Sequence, residues 1–460
     1  MITQIPHIID IRAALARGER RIALPGLKGS APACVLAELL RQHPLNVLVI
    51  TADQDAADEF CRELGFFGAG EAPPLAFPAW DSPPFAPASP HPDISGARLD
   101  TLFRLHGNLA RVVVLPVGAA MQRVLPRRIF NEAACYLVAG EEFERDDLLA
   151  RLVKLGYANV PLVEDRGTFA VRGGILDIFP PNFSTPVRIE FFGDTAETMR
   201  TFDPLTQRSL QAVDELVLLP SREILLTDDL LADIAPRLKE CCDDLDIPAD
   251  RRRAILEELK NAVYFQGIEY LQPLVHQGLE TVFDYAPGWP LVLLDPEAVR
   301  AAAARFAEEI ANGDSKARAA ALPHSPAAEL FLSGPEIDAV MAGRSCLELS
   351  GLALEGGAAT VAIPCEGNAD LRVTVSKETT HALAPLARTL REWLDQGFRV
   401  LIACHQRPQA ERLRELLDPY DIRCTIGEGS FTEAAGLQPH PHPEGEGIVR
   451  QRTGEVLPPL

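Results

Sequence analysis

The chain has 460 residues, 47% hydrophobic and 24% charged, with a net charge of −21 at pH 7. That length exceeds what one hydrophobic core serves, so roughly two to four domains are expected. The acidity argues against autonomous tight DNA binding, which needs a basic surface to neutralise phosphates. No apolar run approaches the ~20 residues of a membrane span, so no membrane partner is expected. The N-terminus lacks the basic-then-apolar order of a secretory signal. The nine cysteines are scattered, odd in number and without a C-x-x-C pair. They fit reduced thiols in a cytoplasmic protein and argue against zinc.

Residues 21–24 and 46–50 are buried-type strands, and 31–41 is a helix carrying Leu36, Leu39 and Leu40 at helical spacing. The Pro-rich stretch 73–92 is too broken for regular structure. A helix over 93–109 and a strand over 111–115 follow, an alternation that implies a parallel sheet covered by helices. From about 126 the pattern changes, and residues 167–193 are period-two sequence broken by Gly and Pro, as expected of antiparallel strands. Helix returns over 228–262, and 291–294 is again a buried strand. The expected architecture is an α/β sheet domain of residues 1–125 and 215–320, with a small α+β domain of residues 126–214 inserted into it. Residues 297–309 read as an Ala-rich helix and 311–327 as a linker. A separate small α/β domain is expected over 328–435, with strands at 398–404 and 422–426 between helices. Residues 436–460 have the composition of a flexible tail.

The strand at 21–24 leads into Gly26-Leu-Lys-Gly-Ser-Ala-Pro-Ala33 and then a helix. This is the setting of a P-loop, whose pattern is G-x-x-x-x-G-K-[ST]. In that motif the glycines let backbone amides wrap phosphates, the Lys reaches the β/γ oxygens and the hydroxyl holds Mg²⁺. Here Gly26 fits and Gly29 lies within the loop. Ala31 stands where the second Gly belongs, Pro32 where the Lys belongs and Ala33 where the hydroxyl belongs, and Pro32 also removes an amide donor. The Walker-B-like strand 291–294 ends in Asp295-Pro296, so the Asp is kept while the neighbouring acid is a proline. As written, neither half supports ATP hydrolysis. No catalytic residue, metal site or cofactor is therefore expected in this chain. His405 beside Cys404, and His440 with His442, fit a buried strand end and a disordered tail better than metal ligands.

Three stretches carry a family resemblance. The first runs from Phe77-Pro-Ala-Trp-Asp-Ser-Pro-Pro-Phe to Pro-Asp-Ile94, continues to Arg98-Leu99 and includes Met121-Gln-Arg-Val124. The second is 166–193. The third is Gly267-Ile-Glu-Tyr270 with Val282-Phe-Asp-Tyr285. Together they resemble the N-terminal module of the bacterial transcription-repair coupling factor (Mfd), itself similar to the excision-repair protein UvrB. The first stretch is too short to hold UvrB's DNA-clamping hairpin. The resemblance implies that 126–214 docks UvrA. It also implies that RNA polymerase binding and ATP- and Mg-dependent translocation on double-stranded DNA belong to motor regions absent from this sequence. The alternative is an ATP-binding or damaged-DNA-binding UvrB-like repair protein, which needs a working loop or a basic, aromatic-rich hairpin.

In 186–192 alternation puts Val187, Ile189 and Phe191 on one strand face and Arg188, Glu190 and Phe192 on the other. A displayed phenylalanine beside Arg and Glu has the composition of an interface anchor. Arg172 alternates against Val171 on the neighbouring strand. Residues 151–210 carry seven basic and seven acidic residues, neutral within an acidic chain. By the motif match, Arg172, Arg188, Glu190 and Phe192 are the expected UvrA contacts.

Overall fold

The computed structural model describes residues 7–68, 73–351, 359–365, 383–398, 400–404, 406–427, 429 and 431. The expected tail 436–460, with His440 and His442, and also His405, lie outside the described residues.

Strands β1 (Arg21–Leu24), β2 (Val47–Thr51), β3 (Leu75–Ala76) and β4 (Val112–Pro116) alternate with helices α1 (Ile8–Ala16), α2 (Ala31–Gln42), α3 (Gln54–Phe67) and α4 (Pro92–His106). Next come β5 (Arg123–Val124), β6 (Cys135–Val138), β7 (Ala158–Asn159), β8 (Thr168–Arg172), β9 (Ile175–Ile178), β10 (Val187–Phe192), β11 (Thr195–Phe202), β12 (Ser209–Ala212), β13 (Glu215–Leu218) and β14 (Glu280–Thr281). The last are β15 (Leu291–Leu294), β16 (Cys346–Leu349) and β17 (Ala359–Thr360).

Among the described residues the first sheet has seven strands in the order β17-β1-β16-β15-β2-β4-β3, all parallel. Its central strands are buried on both faces, as parallel sheets covered by helices require. Val47, Val49, Val112 and Val114 pack with Leu36, Leu39, Phe60 and Leu64 of α2 and α3. Leu48, Ile50, Val113 and Leu115 point the other way, into a core with Leu99 and Leu102 of α4.

Three expectations about the later chain are corrected. The first sheet does not end near 320: β16 lies between β1 and β15, pairing in parallel with both, and β17 extends the sheet beyond β1. A separate unit therefore does not begin at 328. The sequence obscures β16 because Cys-Leu-Glu-Leu carries an acid, yet Glu348 is buried and neutralised by Arg21 of β1 at 2.5 Å. The segment read as a linker from 311 is helix, which runs unbroken from Pro296 to Ala319. Of the expected later domain, the helices Ala384–Asp395 and Arg407–Leu417 form and share a small core of Ala387, Leu390, Leu417 and Ile422. The described parts of 398–404 and 422–426 are not strands.

The second sheet has the order β12-β11-β10-β9-β8-β7 and is antiparallel except where β7 meets β8. The chain enters and leaves this region through the antiparallel pair β6–β13, in which Cys135 faces Leu218. Leu176, Ile178, Val187, Ile189 and Met199 form its inner face and join the same core as the first sheet through Phe130, Leu137 and Leu216.

The Pro-rich segment is irregular but anchored. Phe77 is fully buried and Phe85 nearly so. Arg98 of α4, with no exposed surface, donates through Nε to Glu223 Oε1 at 2.8 Å and through Nη1 to the Pro78 carbonyl at 2.8 Å. Trp80 donates its indole N–H to the same Glu223 oxygen at 2.8 Å, and the Phe77 ring lies 4.3 Å from the guanidinium carbon. At the other end of the segment, a Cβ on Gly313 would meet the Pro84 carbonyl, so the long helix needs glycine where the two touch.

Candidate functional site

The degenerate loop folds as strand, turn and helix. Gly26 (φ +82°) and Gly29 (φ +54°) occupy the left-handed region where a side chain is strained. The backbone groups that would face a ligand are partly used within the fold. The Leu27 amide donates to the Ser350 carbonyl at 3.0 Å, and the Ala31 amide donates to the Lys28 carbonyl at 3.1 Å. Ala31 opens α2 and Pro32 occupies its first turn, where a missing amide is tolerated but also cannot bind phosphate. Ala33 is buried in the core. The Ser30 hydroxyl donates to Glu63 of α3, placing a carboxylate by the α2 N-terminus. A helix N-terminus favours an anion, and here a protein carboxylate supplies one.

Asp295 also has a structural task. It is the N-cap of the helix Pro296–Ala319, held at φ +56°, and its carboxylate accepts from the Ala298 amide at 3.3 Å. Its own amide donates to the Leu349 carbonyl at 2.8 Å. Pro296 fills the first helical position, where its missing amide goes unneeded. Because β16 intervenes, Asp295 and the Gly26 turn lie two strand spacings apart on the sheet, about 10 Å. The two halves of the motif share one edge of the sheet without being brought together.

On the second sheet the register lines up two rows on the face away from Leu176 and Ile189, the second of them buried at Ala170 and Asp177. One row is Arg172, Ile175, Glu190 and Thr198; the next is Ala170, Asp177, Arg188, Arg200 and Ala212. The two-residue turn Gly173–Gly174 closes β8 on β9, and Gly193–Asp194 closes β10 on β11. Gly174 is needed because a Cβ there would lie 2.8 Å from the Phe191 carbonyl oxygen, while its own carbonyl accepts the Phe191 amide at 2.7 Å. Both turns therefore meet at one end of the sheet.

The four residues expected to dock differ in what they offer. Phe192 sits at that end, 75% exposed. Glu190 is exposed and accepts from the Thr198 hydroxyl at 3.2 Å. The Arg172 side chain is half exposed and donates to Asp177 Oδ2 at 3.1 Å. Arg188 is mostly buried. It grips Asp177 with two parallel bonds of 2.6 and 2.9 Å, reaches the Gln207 carbonyl at 3.3 Å and stacks on Phe202 at 4.7 Å. The bonds to Asp177 raise its pKa further, so it stays charged.

Asp177, only 1% exposed, was not singled out from the sequence. Its signal was an acid in Ile-Leu-Asp-Ile, on the face opposite Leu176 and Ile178. Elsewhere, burial pushes the thiols of Cys241 and Cys346 up to about 12, as for protonated core groups. Among the described residues no group of three His, Cys, Asp or Glu can hold a metal ion, and no helix is long and apolar enough to cross a membrane.

The UvrB interaction domain matches residues 136–224, which span β6 to the segment after β13 and include both rows. The chain is 34% identical over 436 residues to a transcription-repair-coupling factor of Myxococcus xanthus, covering 92% of this chain and 36% of that protein. It belongs with the N-terminal module of the transcription-repair-coupling factors. The factor of Escherichia coli is 30% identical over 420 residues, 91% of this chain and 35% of that protein. The factor of Mycobacterium bovis is 37% identical over 287 residues, 60% of this chain and 23% of that protein. The chain thus spans about a third of the length of the first two relatives. For a coupling-factor module, the match over 136–224 makes the β8–β10 face the first place to look for a partner.

Proposed function

We propose that this chain is the part of a transcription-repair coupling factor that docks the excision-repair protein UvrA, through the end of the second sheet bearing Arg172, Glu190 and Phe192. The observation that carries this reading is Phe192, a large apolar ring left in solvent at the end of the sheet that also bears the half-exposed Arg172, inside the UvrB interaction domain. Aromatic and arginine anchors dominate interface energetics, and Phe192 is the most exposed aromatic side chain of the second sheet. Arg188 and Asp177 then act as the frame that sets Arg172 in place. In the full-length protein, RNA polymerase and double-stranded DNA are the further partners, and ATP with Mg serves motor regions outside these residues. The proposed location is the cytoplasm.

Arg172→Ala and Phe192→Ala are each expected to weaken UvrA binding by ~1–3 kcal/mol, roughly five- to 150-fold, without changing the unfolding midpoint. Titration of UvrA against the purified chain measures this, and unchanged affinity in both variants removes the site.

The chain itself is proposed to lack ATPase activity, because Ala31, Pro32, Ala33 and Pro296 replace the groups that hold phosphate, metal and water. Calorimetric titration with Mg-ATP is expected to show no binding up to millimolar concentration. A micromolar Kd that weakens on Gly29→Asp or Lys28→Ala substitution would favour the nucleotide-binding alternative.

A further inference from the structure

The row behind the docking residues contains a pairing that the free protein leaves unrelieved. Arg188 of β10 and Arg200 of β11 are directly opposite one another, with side chains on the same face. Like charges placed so are destabilising. Asp177 lies on the far side of Arg188, and its two oxygens are taken by Arg188 and Arg172. Glu190 is one row away and is engaged by Thr198. Arg200 is exposed, and among the described residues it has no hydrogen-bonding or ionic partner. Two guanidiniums thus share one buried carboxylate, and Arg200 stands next to them on the same face without one, in a chain whose net charge is −21.

We propose that Arg200 is a further contact of the docking face, kept for a carboxylate on the docked partner. This rests on the UvrA-docking reading and adds to it the partner's chemistry: an acidic side chain over β11, next to an apolar surface that receives Phe192. Arg200 continues the face already assigned, one strand beyond Arg188. A carboxylate there relieves the Arg188–Arg200 repulsion, so the same contact favours the complex and costs the free protein. A free guanidinium on a locally neutral face of an acidic chain also favours approach of a partner's carboxylate there.

The test is the affinity of purified UvrA for the full chain at low and high salt, for wild type, Arg200→Ala, Arg200→Glu and Arg172→Ala, with thermal unfolding of each. Arg200→Glu is expected to weaken binding about tenfold or more, since it sets a like charge against the partner's acid. Arg200→Ala is expected to weaken it about three- to tenfold and to flatten the salt dependence, while its unfolding midpoint stays level or rises. Wild-type affinity for Arg200→Glu alongside weakened Arg172→Ala overturns the inference and leaves the docking site standing. Weakened binding matched by a lowered midpoint in both Arg200 variants also overturns it, by assigning Arg200 a structural role. Wild-type binding by every variant, Arg172→Ala included, overturns the docking reading and this contact with it.

Discussion

Replacing Arg98 with alanine is expected to destabilise the chain by ~3–5 kcal/mol, the cost of leaving one member of a fully buried ion pair unpaired. Neither Arg98 nor Glu223 exposes any side-chain surface. The removed guanidinium also satisfies the Pro78 carbonyl and covers the Phe77 ring. The loss should be felt first in residues 73–92, a segment whose own sequence cannot form a ladder of backbone bonds. Amide hydrogen exchange should show faster exchange there than in β2 or β4. The pair is long-range, 125 residues apart in sequence, and it ties the Pro-rich segment and α4 to the stretch that follows the inserted sheet. Lysine cannot reproduce the two donors that engage Glu223 and Pro78, so Arg98→Lys should recover little. A paired swap to apolar residues, Arg98→Met with Glu223→Leu, should recover part of the loss, because it removes both desolvated charges at once while leaving the Trp80 indole N–H and the Pro78 carbonyl without their partners. A shift of less than 1 kcal/mol for Arg98→Ala would mean that this ion pair does not hold the segment.

Much of the first sheet is legible because its signals are local. Val47–Thr51 and Val112–Pro116 are continuous apolar runs, and such runs in an α/β alternation are buried parallel strands. The face division of Val187–Phe192 follows from alternation alone, and its burial matches. What escapes the sequence is set by distant partners. β16 carries an acid that only its neighbour Arg21 makes acceptable in a core. The helix Pro296–Ala319 passes through Asn312-Gly-Asp-Ser315, a polar stretch that reads as linker; burial of Ile310 and Ala317 keeps it helical. The phosphate loop was legible as degenerate from residue identities. That Asp295 serves as an N-cap, and that Glu63 lies near the α2 N-terminus, needed coordinates. That Arg172, Arg188 and Glu190 share one face of the sheet was legible by alternation. Their division into exposed and mostly buried side chains was not, because Asp177 joins Arg172 and Arg188 across three strands.

That division predicts opposite behaviour for residues that look alike in sequence. Phe192→Ala removes a ring that is already in solvent, so its effect on stability should stay within ~0.5 kcal/mol, as for surface substitutions. Its effect should appear in UvrA affinity. Arg188→Ala should instead destabilise the second sheet by ~3–5 kcal/mol, because it strips a buried carboxylate of its two-bond partner and removes the stacking on Phe202. Its affinity loss would then mix a lost contact with a disturbed frame. The two are separable. Adding Asp177→Asn to Arg188→Ala replaces a buried carboxylate, then paired only with the half-exposed Arg172, by a neutral amide and should restore part of the stability. It should not restore docking, because Arg172 also loses the oxygen that positions it. Thermal unfolding and UvrA titration of the four combinations at 177 and 188 check this directly. If Arg188→Ala unfolds like wild type and loses affinity as Phe192→Ala does, Arg188 contacts the partner itself and the frame assignment is wrong. If stability and affinity return together in the double variant, Arg172 does not need Asp177 to hold it, and the docking face depends on fold integrity alone.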